Sequence, residues 1–165
     1  YLGLFGNHIK TLQKRVFSVF HAANSHIDLA CNNIFQLKKT AFDSLSSHIT
    51  IVLILNGNRS ETLPEDIFNN RSSGFVDLGF NPLKEISRHF CEKQCVMESF
   101  RFHCTYLTLE DVDFIVDWAR AKDVYLWGCE CSQHNPALTG QAIELCVGAK
   151  NFDDAFSWQL YVWFF

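Results

Sequence analysis

The sequence predicts an α/β fold, a solenoid whose short strands stack into one parallel sheet, closed at its C-terminal end by an α/β cap. Three observations carry that prediction. A unit reading apolar, any, apolar, two of any kind, Asn, any, apolar, two of any kind, apolar, four of any kind, Phe occurs four times and, more weakly, a fifth. Its starts at Leu2, Ile27, Leu53, Val76 and Phe100 fall 25, 26, 23 and 24 residues apart. After Thr105 the pattern stops and a stretch with helical periodicity begins.

In the first unit the slots are Leu2, Leu4, Asn7, Ile9, Leu12 and Phe17, and in the second Ile27, Leu29, Asn32, Ile34, Leu37 and Phe42. The third has Leu53, Leu55, Asn58, Leu63 and Phe68, with Ser60 in an apolar slot; the fourth has Val76, Leu78, Asn81, Leu83 and Ile86, ending on Cys91 beside Phe90. The fifth keeps Phe100, Phe102 and Leu107 but places Thr105 where the asparagine stood. Each apolar-any-apolar triplet reads as a short strand whose alternate side chains face inward. An Asn five residues after each strand start suits a buried turn, its amide satisfying backbone groups of neighbouring units; Asn7, Asn32, Asn58 and Asn81 form such a structural ladder. Phe17, Phe42 and Phe68 are expected in the core on the wider side of each unit.

The cap begins with a helix. Glu110 and Asp111 suit its first turn, and Val112, Ile115, Val116 and Ala119 supply its apolar stripe. A strand and a second short helix are expected after it. A stack of this kind needs such a closure because its last unit otherwise shows an apolar end to water. The organisation is therefore residues 1–107 as repeats, 108–153 as cap and 154–165 as an apolar tail. That tail contains AFSWQLYVWFF and reads equally well as a final strand on the cap or as the start of a membrane segment.

Composition narrows the function. A chain of 165 residues that is 48% hydrophobic and 19% charged can bury a core. Its net charge of −4, with Lys and Arg clustered no further than pairs such as Lys14-Arg15 and Lys38-Lys39, speaks against nucleic acid as a partner. Neither end carries a signal-peptide pattern, and no run of about 18 apolar residues is present. The chain is expected to be cut from a longer protein.

Residues 1–107 resemble the leucine-rich-repeat family, in particular the type of about 24 residues whose unit runs LxLxxNxLxxLxxxxF. The resemblance implies a horseshoe with a parallel concave sheet. The region after Thr105, with Cys104, Phe114, Trp118, Cys131 and Pro136-Ala137-Leu138-Thr139-Gly140, is similar to the cysteine-containing cap of extracellular members, Toll-like receptor ectodomains among them. That cap has four cysteines in two bridges. Cys104 and Cys131 match one bridge, while Tyr106 and Asn151-Phe152-Asp153 stand where the other two cysteines belong. Cys129 with Cys146, and Cys91 with Cys95, remain open as further pairs. Cys31, beside Asn32, is expected to be a small core residue.

The function implied is non-catalytic recognition of a protein or other macromolecule, at the extracellular face of the plasma membrane or in secreted form, with a membrane anchor downstream and receptor dimerisation as open expectations. The alternative is an intracellular, cytoplasmic adaptor that selects partners for an enzyme complex. No cofactor or metal is expected. Cys129, Cys131 and His134, and separately His89, Cys91 and Cys95, hold zinc-type ligands but not at the spacing of a standard finger. His103 and Cys104, with Asp111 and Asp113, have the residue types of a nucleophile and base without the context of a known elbow. Binding residues follow from geometry: side chains between the inward ones form columns, here Asp28, Ile54, Asp77 and Arg101, flanked by Phe5, Ala30, Asn56, Gly79 and His103, all expected to be exposed. Of two N-x-S sequons, Asn58-Arg59-Ser60 uses a buried ladder position, so Asn70 is the glycosylation candidate.

Overall fold

The computed structural model describes residues 1–18, 24–38, 40–42, 45, 50–65, 67–68, 72–90, 96–102 and 105–127. Over these the chain is an α/β protein with all its strands paired in parallel. Its elements run β1 (Leu2–Gly3), β2 (Thr11–Leu12), β3 (Asn24–Asp28), β4 (Gln36–Leu37), β5 (Thr50–Ile54), β6 (Thr62–Leu63), β7 (Ser72–Asp77), β8 (Glu85–Ile86), β9 (Val96–Arg101), α1 (Leu109–Lys122) and β10 (Tyr125–Trp127).

The main sheet has six strands in the order β1-β3-β5-β7-β9-β10, and two further pairs, β2 with β4 and β6 with β8, form separate two-stranded ladders. Register follows the sequence unit: Leu2 pairs with Ile27, Ile27 with Leu53, Leu53 with Val76 and Val76 with Phe100. These residues, with Leu29, Leu55, Leu78 and Phe102 two positions on, are buried on one face, apart from the partly buried Leu2 at the sheet's edge. Alternation with period 2 is what lets one face of each strand fill a core while the other remains available. Phe17, Phe42 and Phe68 are buried as well, with the rings of Phe17 and Phe42 stacked at 5.6 Å.

The register is interrupted once. Ile51 pairs with Ser73 but Val52 pairs with Phe75, so Gly74 is an extra residue in β7, and β9 keeps step with β7. Such a bulge bends the strand and re-aims the side chains beyond it. The Ser99 hydroxyl donates to the Gly74 carbonyl at 3.2 Å across that step.

Helix α1 starts at a capping box: the Thr108 hydroxyl accepts from the Asp111 N–H, and the Asp111 carboxylate accepts from the Thr108 N–H. Glu110 and Asp111 lie at its positive end and Arg120 and Lys122 at its negative end, and it stops where Asp123 adopts a left-handed conformation. Its buried stripe of Val112, Ile115, Val116 and Ala119 lies beside an aromatic group in which Phe90 is 4.8 Å from Trp118 and 5.8 Å from Phe100, ring to ring. The strand expected after the helix is β10, which joins the main sheet beside β9. The second short helix and the apolar tail fall outside the described residues. No helix among the described residues is long and apolar enough to cross a membrane.

Candidate functional site

The outward face of the main sheet carries two columns set by its register. One runs Gly3, Asp28, Ile54, Asp77 and Arg101; the other runs His26, Val52, Phe75, Ser99 and Tyr125. The first holds four of the residues singled out from sequence, while His103 lies outside the described residues. The second column was passed over, although it sits two positions before the first and the same period-2 argument reaches it.

Exposure differs along the first column. Asp28 and Arg101 are half-buried, but Ile54 is only 8% exposed and Asp77 only 3%, so the expectation that both are open to solvent is corrected. Ala30 and Gly79, expected as exposed flanking residues, are buried too, whereas Phe5 is exposed and Asn56 half-buried. The cause is local. Ile54 sits on a central strand with neighbours on both sides, and the Asp77 carboxylate folds back to accept the Gly79 N–H at 2.8 Å while lying 3.6 Å from the Arg101 guanidinium. Asp28 repeats the turn by accepting the Ala30 N–H at 3.0 Å.

Burial pushes the Asp77 carboxyl above the usual carboxylate range, opposed by the Gly79 N–H and by Arg101. Burial pushes His26 the other way, below the usual imidazole range, with nearby Asp28 opposing it. The centre of the face is thus apolar, Val52, Ile54 and Phe75, and its charged residues Asp77 and Arg101 are paired with each other.

The asparagines lie just past the strands. Asn32 Nδ2 donates to the Leu4, Leu29 and Ala30 carbonyls and its Oδ1 accepts the Ile9 N–H. Asn58 repeats this with Leu29, Leu55, Asn56 and Ile34, and Asn81 with Leu55, Leu78, Gly79 and Ser60. Each therefore ties its own turn to the unit before it. Asn7 does not: it is exposed and, among the described residues, bonds only the Leu4 and Phe5 carbonyls of its own turn, on the edge strand β1 of the described sheet. The expectation of burial is corrected there. Ser60, out of place in an apolar slot, is buried with its hydroxyl donating to the Ile34 carbonyl.

The residue before each asparagine has a positive φ: Gly6 (69°), Cys31 (53°), Gly57 (66°) and Phe80 (54°). Glycine at two of the four positions was a signal for this that sequence reasoning did not use. Cys31 in consequence points outward, exposed and with a free thiol, which corrects its assignment to the core. Its Sγ stands 3.3 Å from where a Cβ on Gly57 would lie. Phe80 is 56% exposed.

Cys91, Cys95, Cys104, Cys129, Cys131 and Cys146, and the sequon at Asn70, lie outside the described residues. The other sequon has its Asn58 amide buried in the hydrogen bonds above. Among the described residues no three His, Cys, Asp or Glu side chains are grouped so as to hold a metal ion. No family model and no curated protein matches this chain.

Proposed function

We propose that this chain is a leucine-rich-repeat solenoid whose outward sheet face recognises a protein or other macromolecular ligand, as the C-terminal part of a cell-surface receptor ectodomain of Toll-like or adhesion type. The observation that carries the proposal is the repeated join between units. Each of Asn32, Asn58 and Asn81 bonds the unit before it through both amide atoms, which makes adjacent strands a rigid row of outward side chains. A rigid row presenting Val52, Phe75 and Tyr125 beside half-buried Asp28 and Arg101 suits recognition, since preordered side chains lose little entropy on binding. In this reading Asp77 positions Arg101, and the chain catalyses nothing.

One observation favours the intracellular adaptor as the second reading. An exposed free thiol such as Cys31 is at home in a reducing compartment and a liability in an oxidising one. The deciding experiment is intact mass with and without reduction and alkylation, then peptide mapping, on protein expressed through a secretory pathway. A Cys104–Cys131 bridge with a glycan on Asn70 supports the receptor reading. Seven free thiols and no glycan sink it in favour of the adaptor.

A further inference from the structure

Lys10, Lys14, Arg15 and Lys38 are separated in sequence but stand on two stretches of chain that pair side by side. The β2–β4 pairing sets Thr11 against Gln36 and Leu12 against Leu37. It is extended on both sides by backbone bonds from Asn33 to Ile9, Phe35 to Lys10 and Arg15 to Thr40. Strands so paired lie about 4.8 Å apart, so Lys10, Lys14 and Arg15 share one flank with Lys38, all four exposed. The Lys38 ammonium is anchored there, donating to the Gln13 side-chain carbonyl at 3.1 Å.

The flank is cationic without compensation from its own units. Residues 1–42 contain five Lys and Arg and one acid, a net charge of +4, whereas residues 43–165 contain nine against seventeen, a net of −8. The single acid, Asp28, stands on the main sheet and is engaged by the Ala30 N–H and the Tyr1 hydroxyl. Like charges set side by side repel, and an oppositely charged partner laid along the flank relieves that repulsion.

We propose that this flank binds an extended polyanion, specifically a sulfated polysaccharide. Its four exposed cations are carried by two paired stretches of chain, and dense pendant sulfates match them by charge alone. Nucleic acid is less suited, because single strands are held by successive stacking on aromatic rings, and Phe35 is the one exposed aromatic side chain within this pairing among the described residues.

The test measures binding of the full chain to heparin across a salt series. Counterion release makes the logarithm of affinity fall linearly with the logarithm of salt, and each neutralised contact lowers the slope by about 1. Lys14→Gln and Arg15→Gln are each expected to lower it by about 1, and the triple variant with Lys38→Gln by about 3. Lys122→Gln, on α1, is expected to leave it unchanged. Unaltered circular dichroism checks that these surface variants fold. Absence of heparin binding, a wild-type slope in the triple variant, or tighter binding of duplex DNA or polyglutamate than of heparin would overturn the proposal.

Discussion

Asn58→Ala removes one side chain on which two turns depend. Its Oδ1 accepts the Ile34 N–H at 3.0 Å, and its Nδ2 donates to the Leu29 and Leu55 carbonyls at 3.0 and 2.9 Å. The two carbonyls keep a second donor each, from Asn32 and Asn81 respectively, so their loss is about 1 kcal/mol apiece. The Ile34 N–H, in a buried residue, loses its partner outright, at about 1–3 kcal/mol. The total is about 3–5 kcal/mol. With a urea dependence of about 2 kcal/mol per molar, the midpoint falls by roughly 2 M. Asn7→Ala is the control: its amide is exposed and bonds only its own turn, so water replaces it and the change stays below about 1 kcal/mol. Urea titration followed by circular dichroism measures both. Equal losses in the two variants, or an Asn58→Ala midpoint within experimental scatter of wild type, would refute the reasoning that the asparagine ladder joins the units.

Three further outcomes are expected. Gly57→Ala puts a Cβ on a left-handed backbone and 3.3 Å from the Cys31 Sγ, costing about 1–2 kcal/mol; urea midpoints of the single variant and of the double variant with Cys31→Ala, each against its own parent, show part of that loss returned. Because burial raises Asp77, the native state holds its proton more tightly than the unfolded chain, so stability falls as pH rises from the usual carboxylate range through the raised value; Asp77→Asn removes that fall, read from urea midpoints across pH. Phe90→Ala empties the centre of the aromatic group beside α1 and costs about 3–5 kcal/mol, visible in a thermal melt.

Much of the parallel sheet could be read from the chain because its cause is local: an apolar triplet fixes which side faces in, and a period near 24 residues fixes what lies beside it. The helix was legible from Glu110, Asp111 and its four-residue stripe. What escaped depends on three-dimensional neighbours. Asp77 occupies a slot that alternation sends outward, yet Gly79 and Arg101 enclose it. Cys31 looks like a core residue by type, and only the positive φ demanded before the asparagine turns it out. The bulge at Gly74 was hidden in the spacing of the units: an extra residue lengthens an interval, yet the one from Leu53 to Val76 is the shortest of the four, at 23 residues. Lys14 and Lys38 are 24 positions apart, and no window of sequence displays them as one surface.

The strand order has a mechanical consequence. Within the main sheet each strand is hydrogen-bonded to those one unit before and after it, in chain order from β1 to β10. Tension between the ends therefore loads these rows one after another, like a zipper, instead of shearing them all at once. Each row that parts frees about 24 residues, roughly 80 Å of slack at full extension, so a stretched molecule lengthens in even, low-force steps and reports its own number of units.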